Sequence, residues 1–156
     1  MKKGGGIQRH ESLAPLSRHH HHALFLCLNL KRVNTEKARY SIQQVAEDVK
    51  RFWEEGGQEH FREEEEVLLP AYSQYASLEH AEIAEMLLEH VEIRGLMHRL
   101  IEKINHDELS TCVEDMRELG EKLEAHVRKE ERVIFPLIEK ALPDDVLKEL
   151  EPYFHE

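Results

Sequence analysis

Two stretches of eleven residues, HFREEEEVLLP at 60–70 and HVRKEERVIFP at 126–136, repeat one another within the chain. Six positions are identical, and three more exchange one apolar residue for another. On a helix, residues four apart stand one above the other on the same face. His60 therefore aligns with Glu64, and His126 with Glu130. Val67 and Ala71 continue the first face, while Leu119, Leu123, Val133 and Leu137 flank the second. In each copy an imidazole and a carboxylate interrupt a stripe that is otherwise apolar. Burying an ionised carboxylate without a compensating charge is strongly unfavourable, and no Lys or Arg lies in register to supply one. A metal ion does so economically. Neutral imidazole suits zinc, copper and iron, and carboxylates bridge or terminate hard ions. Two carboxylates with several histidines point to a paired first-row metal site, with iron the best match. One H-x-x-x-E alone, in a chain so rich in Glu, reads as an exposed hydrogen-bonded pair; its repetition with matching flanks and closing proline favours metal.

The remaining sequence bounds the setting. A chain of 156 residues suits a single domain. With 34% charged residues, 40% hydrophobic ones, seven glycines and five prolines, an all-helical protein is favoured over a β-sandwich or a disordered tail. The net charge of −11, with no dense Lys/Arg block, argues against nucleic acid as a partner. Cys27 and Cys112 form no C-x-x-C, so neither a disulfide framework nor a zinc-thiolate site is indicated, and a reducing compartment fits. MKKGGG leads into a polar stretch instead of an apolar run, and ALFLCLNL falls well short of the ~20 residues that span a bilayer. No membrane association and a cytoplasmic location are expected.

Apolar residues recur at helical spacing through most of the chain. A first helix is predicted from Ser12–Pro15 to about Val33. A second runs from about Glu36 to Tyr72, carrying Val45, Val49, Phe52 and Trp53, with a kink at Gly56-Gly57. A third spans about Leu78 to Asn105, offering Ile83, Met86, Leu87, Ile93, Met97, Leu100 and Ile104 to the core. A fourth runs from about Ser110 to Ala141, and a short last helix from Asp144 or Asp145 to about Leu150. Pro70 and Pro136 each threaten to stop or bend a helix, but apolar spacing continues past Pro136. Short connections make sequential helices antiparallel neighbours. The predicted fold is all-α: an antiparallel up-down-up-down four-helix bundle over 12–141, with an N-terminal tail at 1–11 and a short helix and tail at 142–156.

Two further histidines complete a candidate ligand set. In the run HHHH at 19–22, His20 has Ala23, Leu24, Cys27 and Leu28 on its face. His21 is close behind, and His19 and His22 are assigned to solvent. On the third helix His90 follows Met86 and Leu87 and precedes Ile93 and Met97. A buried histidine bonded to a neighbour is the bland reading there; a depth similar to that of the motifs favours a ligand. The metal set is thus His20, His60, Glu64, His90, His126 and Glu130. Glu63 competes with Glu64, but its counterpart Lys129 breaks the symmetry. Glu65, Glu66 and Glu131 read as solvated. His10, His80, His98, His106 and His155 carry no functional reading. Gly56 and Gly57, one turn before His60, are candidates to leave room for a small molecule beside the metals.

A histidine on the first helix, H-x-x-x-E on the second, a histidine on the third and H-x-x-x-E on the fourth resemble the hemerythrin-like cation-binding family, the HHE domain. PLSRHHHHAL, HFREEEEVLLP and HVRKEERVIFP look like its bacterial members. The resemblance covers roughly residues 12–141. It implies a bundle enclosing two bridged iron ions, with the four histidines as terminal ligands and Glu64 and Glu130 as bridges. Oxygen-carrying hemerythrins bring two histidines four apart from the third helix, whereas Met86 and Arg94 stand either side of His90 here. The site implied is then one imidazole short, leaving a water, an unusual carboxylate or an open position, which counts against reversible oxygen carriage more than against diiron binding. Ferritin-like diiron bundles need Glu-x-x-His on two helices, and zincins need H-E-x-x-H; neither spacing occurs. The combined reading is a non-enzymatic protein that binds or senses dioxygen or a related small ligand. An iron-responsive regulatory or interaction domain and an enzyme activating peroxide or oxygen are the alternatives.

Overall fold

A computed structural model of the chain describes residues 9–154. MKKGGG and His155 lie outside the described residues. Among those described, the chain forms helices and no strands. The principal helices are α1 (Ala14–Arg32), α2 (Ile42–Phe52), α3 (Gln58–Glu63), α4 (Leu69–Ser73), α5 (Ala81–Asn105), α6 (Val113–Lys129), α7 (Phe135–Ala141) and α8 (Asp144–Leu150). No helix among the described residues is long and apolar enough to cross a membrane.

The second helix starts later than its sequence pattern predicts. Asn34 takes φ 59, in the left-handed region that Asn tolerates better than most residues. Ser41 then caps α2, its side chain accepting the Gln44 backbone N–H at 3.1 Å. Residues 33–41 are a connection, and helix begins at Ile42.

Between α2 and α3, α3 and α4, and α6 and α7, five-residue π-helical turns carry the rods onward: Trp53–Gly57, Glu64–Leu68 and Glu130–Ile134. The last two each begin at the motif carboxylate and end two residues before the proline. In them the N–H groups of Leu69 and Phe135 donate to the carbonyls of Glu64 and Glu130, five residues back. A proline inside an α-helix lacks its own N–H and clashes with the carbonyl four residues before it. A wider turn directly ahead relaxes both constraints, so the rods pass through Pro70 and Pro136. At Gly56-Gly57 the predicted kink is a π-helical turn as well.

The inserted residue also rotates the face. Val133, which α-helical spacing assigns to the core, is exposed, while Ile134 and Phe135 are fully buried. In the first copy Val67 is half-buried and Leu68 fully buried. Leu87, also assigned to the core, is exposed because the stripe Met86, His90, Ile93 and Met97 sets the inner face of α5.

Pairings between rods run in descending order. From α1 outward, Ser17 meets Glu131, Lys31 meets Glu124, and the Val33 carbonyl accepts from Arg117. Against α5, His126 meets Glu89, Lys122 meets Glu92, and Asp115 meets Lys103. Lys50 meets Asn105, and Glu65 meets Arg94.

Two hydrophobic clusters fill the interior. One contains Ala23, Phe61, Ile93 and Val127, and the other contains Leu16, Leu68, Met86 and Ile134. Each rod changes cluster at a polar residue: His20 in α1, Glu64 after α3, His90 in α5 and Glu130 after α6. The second cluster is closed by Leu147 of α8 and by Phe154. Arg9 pairs with Glu131 and Glu139 on the same end.

Glycines separate two packing regimes. A Cβ on Gly120 would lie 3.0 Å from Leu30 Cβ and 3.1 Å from the Cys27 carbonyl oxygen, whereas one on Gly95 meets nothing within 4 Å. Gly120→Val is expected to lower stability by about 1–3 kcal/mol through overpacking. Gly95→Ala, in a helix interior, is expected to raise it by about 0.5–1 kcal/mol. Urea unfolding of the two variants checks both; equal effects would contradict this packing.

Candidate metal centre

The structure brings all six residues of the ligand set together in the layer between the two clusters. Two overlapping groups form, His20, His60, Glu64 and Glu130, and Glu64, His90, His126 and Glu130, each with its ligand atoms within 4.8 Å of one another. All six side chains are buried, with Glu64 and His90 fully so. Both carboxylates straddle the groups. Glu64 sets Oε2 2.9 Å from His60 Nε2 and Oε1 3.1 Å from His90 Nε2. Glu130 sets Oε1 2.9 Å from His20 Nε2, and Oε2 2.8 Å from His126 Nε2 and 3.2 Å from His90 Nε2. Each carboxylate thus offers one oxygen to each half.

His21 is exposed, so α1 presents His20 inward. Glu63 is buried but belongs to neither group. Met86 sits in the core and Arg94 pairs with Glu65 at 2.8 and 3.0 Å, so neither joins His90 in the cluster.

The outward ring nitrogens reveal residues that helical-face reasoning assigns to water. Glu65 and Glu131 are only 24% and 23% exposed. His90 Nδ1 lies 2.6 Å from Glu65 Oε2, and His20 Nδ1 lies 2.6 Å from Glu131 Oε2. His126 Nδ1 lies 2.7 Å from Glu89 Oε1. A cation backs each carboxylate: Arg94 for Glu65, Arg9 for Glu131 and Lys129 for Glu89. Lys129, the position that breaks the symmetry with Glu63, therefore serves this outer ring. Glu66 does remain in solvent. The repeat itself held the missing signal, because Glu64-Glu65 and Glu130-Glu131 are both among its identities.

These contacts decide what the inward nitrogens can do. A carboxylate can only accept, so the neutral imidazoles of His20, His90 and His126 carry their proton on Nδ1. Nε2 then presents a lone pair towards oxygens that also present lone pairs. His60 Nε2, His126 Nε2 and both oxygens of Glu64 are buried without an aligned hydrogen bond, despite approaches near 3 Å. Short distances without donor–acceptor alignment fit ligands converging on a shared cation. The donor set of imidazole nitrogen and carboxylate oxygen fits a first-row metal.

Without a metal, protons fill this role. Burial pushes the His60, His90 and His126 imidazoles down, but the surrounding carboxylates, Glu64 and Glu130 foremost, raise them to about 10, 11 and 9. His20 is raised too, its burial outweighed by Glu130 and Glu131. Glu130, despite burial, is held well below the usual carboxylate range by His126, His20 and His60. Burial raises Glu65 and Glu131, but His90 with Arg94, and His20 with Ser17 and Arg9, bring them to about 2.

Aromatic rings roof the layer. Phe61 stacks on His90 at 3.9 Å and Phe135 on His20 at 5.3 Å. His19, assigned to solvent by its face, is half-buried and stacks on His60 at 4.8 Å and on Phe52 at 5.2 Å. A cavity of about 10 Å³ beside His60 is walled by Ala23, Trp53, Phe61 and Met97, and His19 and Phe52 separate it from a surface groove of about 410 Å³. Gly57 lines this cavity, but a Cβ there would meet Phe52 Cε2 at 2.8 Å. The room next to the glycine is occupied by the rings of Phe52 and Trp53.

The family model described as the Hemerythrin HHE cation binding domain matches residues 13–138. No curated protein matches the chain, and no solved structure does.

The protonated cluster sets an expected pH dependence for the metal-free protein. Histidines raised from 6.5 to about 9–11 contribute stability that is fully present below pH 6.5 and lost as pH rises through that range. Glu65 and Glu131, depressed from 4.5 to about 2, contribute stability present above pH 4.5 and lost as pH falls towards 2. Melting temperature in chelator is expected to fall from pH 6.5 to 10, and again below pH 4.5. Metal requires neutral imidazoles, so metal-loaded protein should gain stability over its metal-free form as pH rises. A metal-free melting temperature unchanged between pH 6.5 and 10 would contradict the assignment.

Proposed function

This chain belongs to the hemerythrin HHE cation-binding domain family, and from that premise we propose that it is a diiron protein that binds or senses dioxygen or a related small ligand. The observation that carries the reading is the pair of shared carboxylates, each with one oxygen in each half of a buried His/Glu cluster. On this reading His20 and His60 would hold one iron and His90 and His126 the other, with Glu64 and Glu130 each offering one oxygen to either half. We read the descending pairings between rods as an antiparallel up-down-up-down bundle, with 12–141 as the metal-holding unit.

Bound iron would supply the redox chemistry. The chain supplies the rest. Glu65, Glu89 and Glu131 hold three imidazoles in orientation through Nδ1. Phe61, Phe135 and the apolar cavity wall exclude water. That cavity, about 10 Å³, has room for about one water-sized molecule, which suits a diatomic ligand and not a larger organic substrate. His19 and Phe52 border the route from the surface groove. Met86, in the core, and Arg94, turned to Glu65, occupy the two positions four residues from His90 where an oxygen carrier's second histidine would stand, which favours sensing or activation over reversible carriage. Cys27 and Cys112, free and buried, suit a reducing compartment, and we place the protein in the cytoplasm.

A second reading, an iron-responsive regulatory domain, draws on the polar layer that divides the core. Without metal that layer depends on protons held between imidazoles and carboxylates, and metal binding would tighten the fold.

Protein purified after aerobic expression in iron-rich medium is expected to carry about two irons per chain, as the two-group geometry implies. Metal analysis and the near-ultraviolet charge-transfer bands of a bridged iron pair check this. Glu130→Ala is expected to abolish the bands and remove at least one equivalent of iron. Less than one equivalent of any metal in the unaltered protein would overturn the reading. A metal-free protein melting as high as the iron-loaded one would remove the regulatory alternative.

A further inference from the structure

We infer that the two halves of the site hold metal unequally: the half built from His90 and His126 retains its ion, and the half built from His20 and His60 exchanges it. This rests on the paired-metal reading above. The asymmetry lies outside the ligands themselves. A histidine that donates its second ring N–H to a carboxylate is locked in tautomer and orientation and becomes a stronger donor through the other nitrogen.

In the His90/His126 half both imidazoles have this support, from Glu65 at 2.6 Å and Glu89 at 2.7 Å. Both supporting carboxylates are themselves held, Glu65 by the two-pronged Arg94 contact and Glu89 by Lys129. In the other half only His20 is supported, by Glu131 at 2.6 Å. His60 Nδ1 is buried and has no hydrogen-bond partner among the described residues. Its ring is positioned by stacking on His19 and by the π-helical turn Trp53–Gly57 that precedes it. Stacking restrains tilt but selects neither tautomer, so His60 is the least fixed of the four.

Access points the same way, since the cavity is lined by both His20 and His60 but, of the other half, by His126 alone, and is bordered by the groove across His19 and Phe52. Glu65, Glu89 and Glu131 are therefore positioning residues. The doubled Glu of each repeat then has a division of labour: the first bridges the ions, and the second fixes a histidine on another rod.

The test is a zinc titration of the metal-depleted full chain against a competing chelator. Imidazole nitrogen resonances are followed in parallel to identify which histidines respond. Loss of one such outer partner typically costs about 10–100-fold in metal affinity. The first equivalent is accordingly expected to bind about 10–100-fold tighter than the second and to shift His90 and His126 first. Glu65→Gln is expected to weaken the first step by a similar factor and free the His90 tautomer, and Glu131→Gln to weaken the second. Two equal steps, a first equivalent seated on His20 and His60, or a Glu65→Gln variant with unchanged first-step affinity would each overturn the inference. Should that variant fail to fold, the two steps of the unaltered protein decide alone. Absence of any zinc binding would instead overturn the paired-metal reading.

Discussion

Four imidazoles and two carboxylates occupy a layer from which water is excluded, and the rest of the molecule is arranged around that constraint. Hydrophobic packing alone would fuse the two apolar clusters into one core. Instead every rod crosses from one cluster to the other at a ligand-type residue. The layer is tolerable only when its charges and lone pairs are compensated, by protons on the histidines or by cations between them. Three of the imidazoles are already committed, through Nδ1, to carboxylates farther out. Their inward nitrogens consequently face acceptors, and either protons on those nitrogens or cations between the groups resolve that conflict.

The local backbone is shaped to the same end. Both motif carboxylates open a π-helical turn, and both turns end just before a proline. The wide turn inserts a residue, rotates the following side chains by about a third of a turn relative to α-helical spacing, and lets the rod continue where proline would otherwise break it. One short motif thus delivers a histidine, a shared carboxylate, a second carboxylate directed to a neighbouring rod, and an aromatic or aliphatic wall. Used twice, it serves both sides of the site. The third and first rods contribute one histidine each and, in Glu89 of α5, an outer support.

Local patterning was a good guide wherever a side chain's direction depends only on its own helix. His20 was preferred to His21 for the Ala23 and Cys27 on its face, and both are buried, while Phe25 on the His21 face is exposed. His90 followed from Met86, Ile93 and Met97. The same reasoning misassigned Glu65, Glu131 and His19. Their burial comes from neighbouring rods: Arg94 and His90 across from Glu65, Arg9 and His20 across from Glu131, and Phe52 and His60 against His19. It misassigned Val133 because α-helical spacing does not anticipate a π-helical turn, and it began the second helix too early because the effective cap is Ser41.

By itself the sequence determined that the chain is helical, that it repeats a His/Glu face, and which six residues bring polar chemistry to that face. These follow from periodicity and composition, which act along a single rod. Only the tertiary structure decided how the two carboxylates divide their oxygens, which histidines gain an outer carboxylate among the described residues, and where the small cavity beside His60 lies. Those features depend on distances of about 3 Å between groups on different rods. Spacing along one rod sets a residue's face, but the approach of a second rod sets its partner.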